Sequence, residues 1–190
     1  MMSSSLILKK VAVIAAAEIC ARFDLTPAAA EKLIAGLAPT DYLESLMSDD
    51  LIMEGLQFMV YALPKREAVW LACLSARSLA NKTEEDGAAI SAVEKWVFEP
   101  NAQTHQPLKA VAEATGMSTA SGMAAAAGSW ADGSLTSQGI SVAPPDDLTP
   151  KAVWSAILLT VSQSHPDNLI EGYRIFLNKA INIAEGGSGQ

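Results

Sequence analysis

Histidine and cysteine each occur only twice in 190 residues, and these scarcities narrow the chemistry before any motif is sought. His105 lies in NAQTHQP near an expected helix start, and His165 in SQSHPDN between two expected helices. Neither shares a ligand spacing with the other or with Cys20 and Cys73, so no zinc pattern is present. Both histidines are expected as surface or turn residues rather than acid–base catalysts. Each cysteine sits inside an apolar helical pattern and reads as a small buried hydrophobe in a reducing compartment. Arg77, one turn beyond Cys73, would lower that thiol's pKa, whereas burial would raise it.

Positive charge is also scarce in patches. The formal net charge is -8, and the longest basic runs are the pairs Lys9-Lys10 and Lys65-Arg66. An acidic chain without a basic stripe is a poor ligand for a phosphate backbone, so no nucleic acid partner is expected. No apolar run reaches the roughly 18 residues of a spanning helix, so no membrane insertion is expected. Residues 1–23 place their charges after Leu6-Ile7-Leu8, and Glu18 interrupts the apolar stretch. They read as an amphipathic first helix over 7–23 rather than a signal peptide, which points to a cytoplasmic protein. The chain has no nucleophile elbow, glycine-rich phosphate loop or H-E-x-x-H motif, and neither histidine follows a glutamate by three residues. No cofactor is expected.

Alanine is abundant, with 33 residues, while aromatics make up only 6%. Alanine is the best helix former and allows close helix approach. No stretch sustains strand-like alternation. The expected architecture is all-α, a compact bundle of about ten helices forming one domain over 1–184, with 185–190 a flexible tail.

Punctuation places the helices. Thr26-Pro27 caps and opens one that ends before Gly36. Others are expected from Pro39 through Leu46, over 50–62 and over 64–80. Thr83-Glu84-Glu85-Asp86 sets a capping hydroxyl and three acids at the start of the next, which runs to about residue 98. Segments 103–114 and 118–130 follow, the second weakened by two glycines and dependent on close packing. Thr149-Pro150 repeats the Thr26-Pro27 device, and a last helix starts at Asp167 and runs to about residue 184. Trp70, Trp96, Trp130 and Trp154 fall on four different helices, as one core anchor each.

Two features suggest sites. On the helix over 64–80, Arg66, Trp70, Cys73 and Arg77 share one stripe. The arginines either border buried surface and pair with acids, or present guanidinium groups to an anionic ligand; the first reading is preferred. Residues 131–149 carry no helix pattern, and an irregular connection of that length is often functional. The preferred reading is a strap whose Leu135, Ile140 and Val142 are buried against the helices. The alternative is a lid or partner-binding loop, which would use Leu135, Thr136, Gln138 and Ile140.

Several blocks carry a family resemblance: Leu63-Pro64, Arg66-Glu67-Ala68-Val69-Trp70, Trp130, Gly133-Ser134-Leu135, Pro144-Pro145, Leu148-Thr149, Ala152-Val153, and Tyr173 with Phe176-Leu177. In this order, over residues 55–180, the chain resembles an uncharacterised bacterial family of small helix-rich domain proteins. The resemblance implies a helical fold and an association with bacterial secretion gene neighbourhoods, type VI above all. The family has no assigned activity, so no catalytic residue carries over. The expected function is a non-enzymatic protein-interaction module (adaptor, chaperone or accessory subunit), its partner another protein or a second copy of the chain. The alternative is a small-molecule-binding helical domain, or an enzyme, using Arg66, Arg77 and the 131–149 loop.

Overall fold

The structure, a computed structural model, describes residues 6–132 and 142–190. The described residues form eleven helices and no strand, so the fold is all-α. None of these helices is long and apolar enough to cross a membrane. The chain divides into two compact units, one of Met1–Pro64 with Ile170–Gln190, the other of Lys65–Leu169.

The first unit holds α1 (Ala16–Cys20), α2 (Pro27–Lys32), α3 (Pro39–Ser48), α4 (Ile52–Ala62) and nearly all of α11 (Leu169–Glu185). Thr26 caps α2 as expected, its hydroxyl accepting from the Ala29 N–H at 3.3 Å. The first helix does not run over 7–23: only Ala16–Cys20 is helical. Backbone groups upstream are engaged elsewhere, the Lys10 N–H on the Ala184 carbonyl and the Ala16 N–H on the Leu37 carbonyl, both at 2.9 Å. Val11, Val13 and Ile14 are β-branched, which weakens a helix that tertiary contacts do not support.

Ser48-Asp49-Asp50 ends α3 as the sequence suggested. Asp50 takes a left-handed φ of 57°, and the Leu51 N–H reaches back to the Leu46 carbonyl at 2.9 Å. Arg174 of α11 pairs with Asp50 at 2.8 Å. Tyr42, Phe58 and Phe176 are buried here. Tyr42 meets Phe58 edge-on at 5.0 Å, and its hydroxyl donates to the Ala29 carbonyl at 2.9 Å, so its one polar atom is satisfied inside the core. After α11, Gly186 adopts φ 103°. The Gly186 N–H bonds the Ile183 carbonyl at 3.0 Å and the Gly187 N–H bonds that of Asn182 at 2.8 Å. This is a Schellman cap, with glycine at the left-handed position.

The second unit holds α5 (Lys65–Ser78), α6 (Glu84–Phe98), α7 (Ala102–His105), α8 (Leu108–Thr115), α9 (Ala120–Ala131) and α10 (Leu148–Ser164). All four tryptophans fall in it, on α5, α6, α9 and α10. Trp96 is 3% and Trp70 is 9% exposed, while Trp130 and Trp154 are partly exposed. Ala68–Ala76 of α5 is buried on every side, and the ionic residues Lys65 and Arg66 occupy its wetter first turn. At α6 the Thr83 hydroxyl and the Asp86 carboxylate cap each other's backbone N–H groups. Asp86 also accepts from the Ser121 hydroxyl, tying the start of α6 to α9.

Alanine explains α9. Residues 124–128 are buried, and the helix packs against α5, α6, α8 and α10. A methyl group on Gly122 would stand 2.1 Å from the Gly116 carbonyl oxygen, and one on Gly128 would stand 3.0 Å from Leu108 Cδ1. The two glycines weaken the helix locally and admit its neighbours.

Two further boundaries differ from expectation. Pro107 divides 103–114 into α7 and α8, because it lacks an N–H and suits a helix start. Thr149 does not cap α10, which begins at Leu148. It is fully buried, and its hydroxyl donates to the Ala127 carbonyl at 3.5 Å. Tertiary packing therefore claims the same Thr-Pro pair that serves as a cap at residues 26–27.

Candidate functional site

At one end of the second unit, α6, α7 and α9 surround a cavity of about 290 Å³ lined by Trp96, Pro100, Asn101, Ala102, His105 and Asp132. Its construction starts with Pro100, which cannot continue α6. The Asn101 side chain then accepts from the Thr104 N–H at 3.1 Å and donates to the Glu99 carbonyl at 3.1 Å. The Thr104 hydroxyl accepts from the Asn101 N–H at 3.2 Å and donates to the Glu99 carbonyl at 2.6 Å. This reciprocal cap fixes the α6–α7 corner and sets the His105 ring against Trp96, with centroids 6.0 Å apart and planes at 60°. Asp132 closes the rim from the end of α9, in extended backbone.

The His105 Nε2 atom is covered and has no hydrogen-bond partner among the described residues. A buried polar atom left unsatisfied costs about 1–3 kcal/mol, so it calls for a compensating role. His105 is thus half-buried in a cavity wall, at the last residue of α7. Asp132 is the one charged side chain among the lining residues. The ends of α6 and α9, both here, add the partial negative charge of helix C-termini.

The residues singled out in the sequence lie elsewhere. Arg77 pairs with Glu94 of α6 at 2.8 Å, and Arg66 lies 3.7 Å from Glu67, each arginine side chain about half exposed. Eleven residues apart on one helix, they stand about 16 Å apart along its axis. Leu135, Thr136, Gln138 and Ile140, and with them most of the expected strap, lie outside the described residues. Val142, expected to be buried, is 45% exposed. Before α10, Asp146 pairs with Lys65 of α5 at 3.0 Å. His165 does sit in a turn, its Nδ1 2.8 Å from the Ser164 hydroxyl.

Cys20 and Cys73 are free and buried. The Cys73 thiol donates to the Ile90 carbonyl at 3.7 Å. Burial, reinforced by Glu94 and opposed by Arg77, pushes its pKa up to about 12. Among the described residues no three histidine, cysteine, aspartate or glutamate side chains cluster as a metal site would require.

Trp96, His105 and Asp132 belong to three elements, so no sequence periodicity links them. The local signal was the cap pattern Asn101-x-x-Thr104, which fixes the corner but does not reveal the partner across it.

An all-α protein with a small cavity lined by aromatic rings and a carboxylate is the class these features define. The chain belongs to the family of unknown function DUF6931, whose model matches residues 42–184, about three quarters of its length. No curated protein and no solved structure matches it.

Proposed function

We propose that the protein is a non-enzymatic interaction module, an adaptor, chaperone or accessory subunit, that works in the bacterial cytoplasm beside a secretion system of the type VI kind. The observation that carries this reading is apolar exposure on the N-terminal part of the first unit. Ile14 is 85% and Ile34 62% exposed. They flank the backbone hydrogen bond from Ala16 to Leu37, so the two side chains belong to adjoining segments. Ile7 is 59% exposed on the same stretch of chain. Large aliphatic groups left in water on neighbouring segments favour association with an apolar partner surface. The family match begins at residue 42, so this surface lies outside the matched region.

Cys73, the nucleophile considered from the sequence, is buried, and burial pushes its thiol pKa up to about 12, which disfavours it as a nucleophile. The secretion link rests on the sequence resemblance alone. Affinity capture from cells that express the protein, with wild type beside the Ile14→Ser, Ile34→Ser variant, tests the proposal. Loss of one specific protein with an unchanged melting temperature is expected. Equal capture by both forms would refute it. The alternative, small-molecule binding, is favoured by the cavity rather than by Arg66 and Arg77.

A further inference from the structure

We propose that the cavity between α6, α7 and the end of α9 binds a small organic cation, an amine or guanidinium group carried on a flat apolar body. The site lies in the second unit and is independent of the interaction surface proposed above. At about 290 Å³ it stands at the lower end of ligand sites, which begin at about 300 Å³, and suits a single-ring ligand.

The charge of that ligand follows from the lining. Among the described residues Asp132 is the only charged side chain in its lining. The C-terminal ends of α6 and α9 add negative potential, and the N-terminal end of the four-residue α7 offsets part of it, so the carboxylate decides the sign. An anion would meet repulsion from that carboxylate. A cation gains the carboxylate and, beside Trp96, the attraction of an indole face. A flat body fits because Trp96 and His105, packed edge-on against each other at 6.0 Å and 60°, present ring surface to the cavity.

Asp132 supplies the polar complement, its carboxylate accepting from the N–H donors of an ammonium group. His105 contributes ring surface, its Nε2 being covered by the protein.

The test uses benzylammonium as the probe and benzyl alcohol as its neutral counterpart. Four tryptophans give four indole N–H signals in a nitrogen-correlated NMR spectrum, and Trp96→Phe assigns the one that matters. Benzylammonium should shift the Trp96 indole and the backbone amides of residues 101–105, and leave the Trp70 and Trp154 indoles in place. Benzyl alcohol should bind at least tenfold more weakly. Asp132→Asn, at an exposed position, should weaken benzylammonium about tenfold without changing the melting temperature. Equal binding of the two probes, equal binding by Asp132→Asn, or shifts spread over all four indoles would each overturn the proposal.

Discussion

Replacing glycine by alanine at four helical positions separates intrinsic helix preference from packing. Each replacement adds one methyl group, and in an open helix interior it should stabilise by about 1 kcal/mol. Gly87 on α6 has nothing within 4 Å of the new carbon, so Gly87→Ala should show that gain. Gly55 on α4 would place its methyl 3.4 Å from Leu43 and 3.5 Å from Leu177. That is ordinary contact, and the variant should be neutral or slightly more stable. Gly128→Ala meets Leu108 Cδ1 at 3.0 Å, a terminal methyl that can turn away at some cost to the core. The overpacking cost, about 1–3 kcal/mol, then cancels or exceeds the helix gain.

Gly122→Ala is the severe case. Its methyl would stand 2.1 Å from the Gly116 carbonyl oxygen, whereas carbon–oxygen contacts settle at about 3.3–3.6 Å. The obstacle is backbone and cannot rotate away. That carbonyl also accepts the Thr119 N–H and hydroxyl, at 3.2 and 3.0 Å, so moving it disturbs the cap of α9. Overpacking and a damaged cap together cost about 2–4 kcal/mol, and the helix gain returns about 1, leaving a net loss of about 1–3 kcal/mol. Urea unfolding of the four variants should rank them Gly87→Ala, Gly55→Ala, Gly128→Ala, Gly122→Ala from most to least stable. A Gly122→Ala protein as stable as Gly87→Ala would refute the close approach of α9 to the 116 turn.

Cys73 should resist thiol reagents in the native protein at pH 8 and react at an ordinary rate in denaturant, since burial holds the folded thiol near a pKa of about 12; a fast native reaction at Cys73 would contradict the core position of α5. For Asp86, burial raises the pKa, but the hydrogen bonds from Ser121 and Thr83, with Lys82 nearby, outweigh it and hold the carboxyl below its ordinary value. A depressed carboxyl stabilises the fold above the unfolded pKa of about 3.9, and that contribution disappears as pH falls through the folded value. Asp86→Asn should therefore be less stable than wild type at pH 7, with the gap in urea midpoint closing below about pH 4; a gap that widens on acidification would show the charge to be unfavourable.

Local chemistry in the sequence determined the helical class and many of the helix ends. Thr26 with Pro27, and Thr83 with Asp86, cap where they stand because a cap joins groups within three residues of one another and needs no distant partner. The α3 stop at Asp49-Asp50 and the α6 stop before Pro100 are legible for the same reason. Tertiary structure decided the rest wherever a backbone or side-chain group had a stronger partner far along the chain. Lys10 and Ala16 direct their N–H groups to Ala184 and Leu37, which leaves a helix of only five residues where the pattern suggested seventeen. Thr149 becomes a buried donor to Ala127 instead of a cap. The cavity was equally out of reach of the sequence. Trp96, His105 and Asp132 meet only because the Asn101–Thr104 corner turns the chain and α9 ends opposite it, and such a meeting is fixed by packing between elements, not by any spacing along one of them.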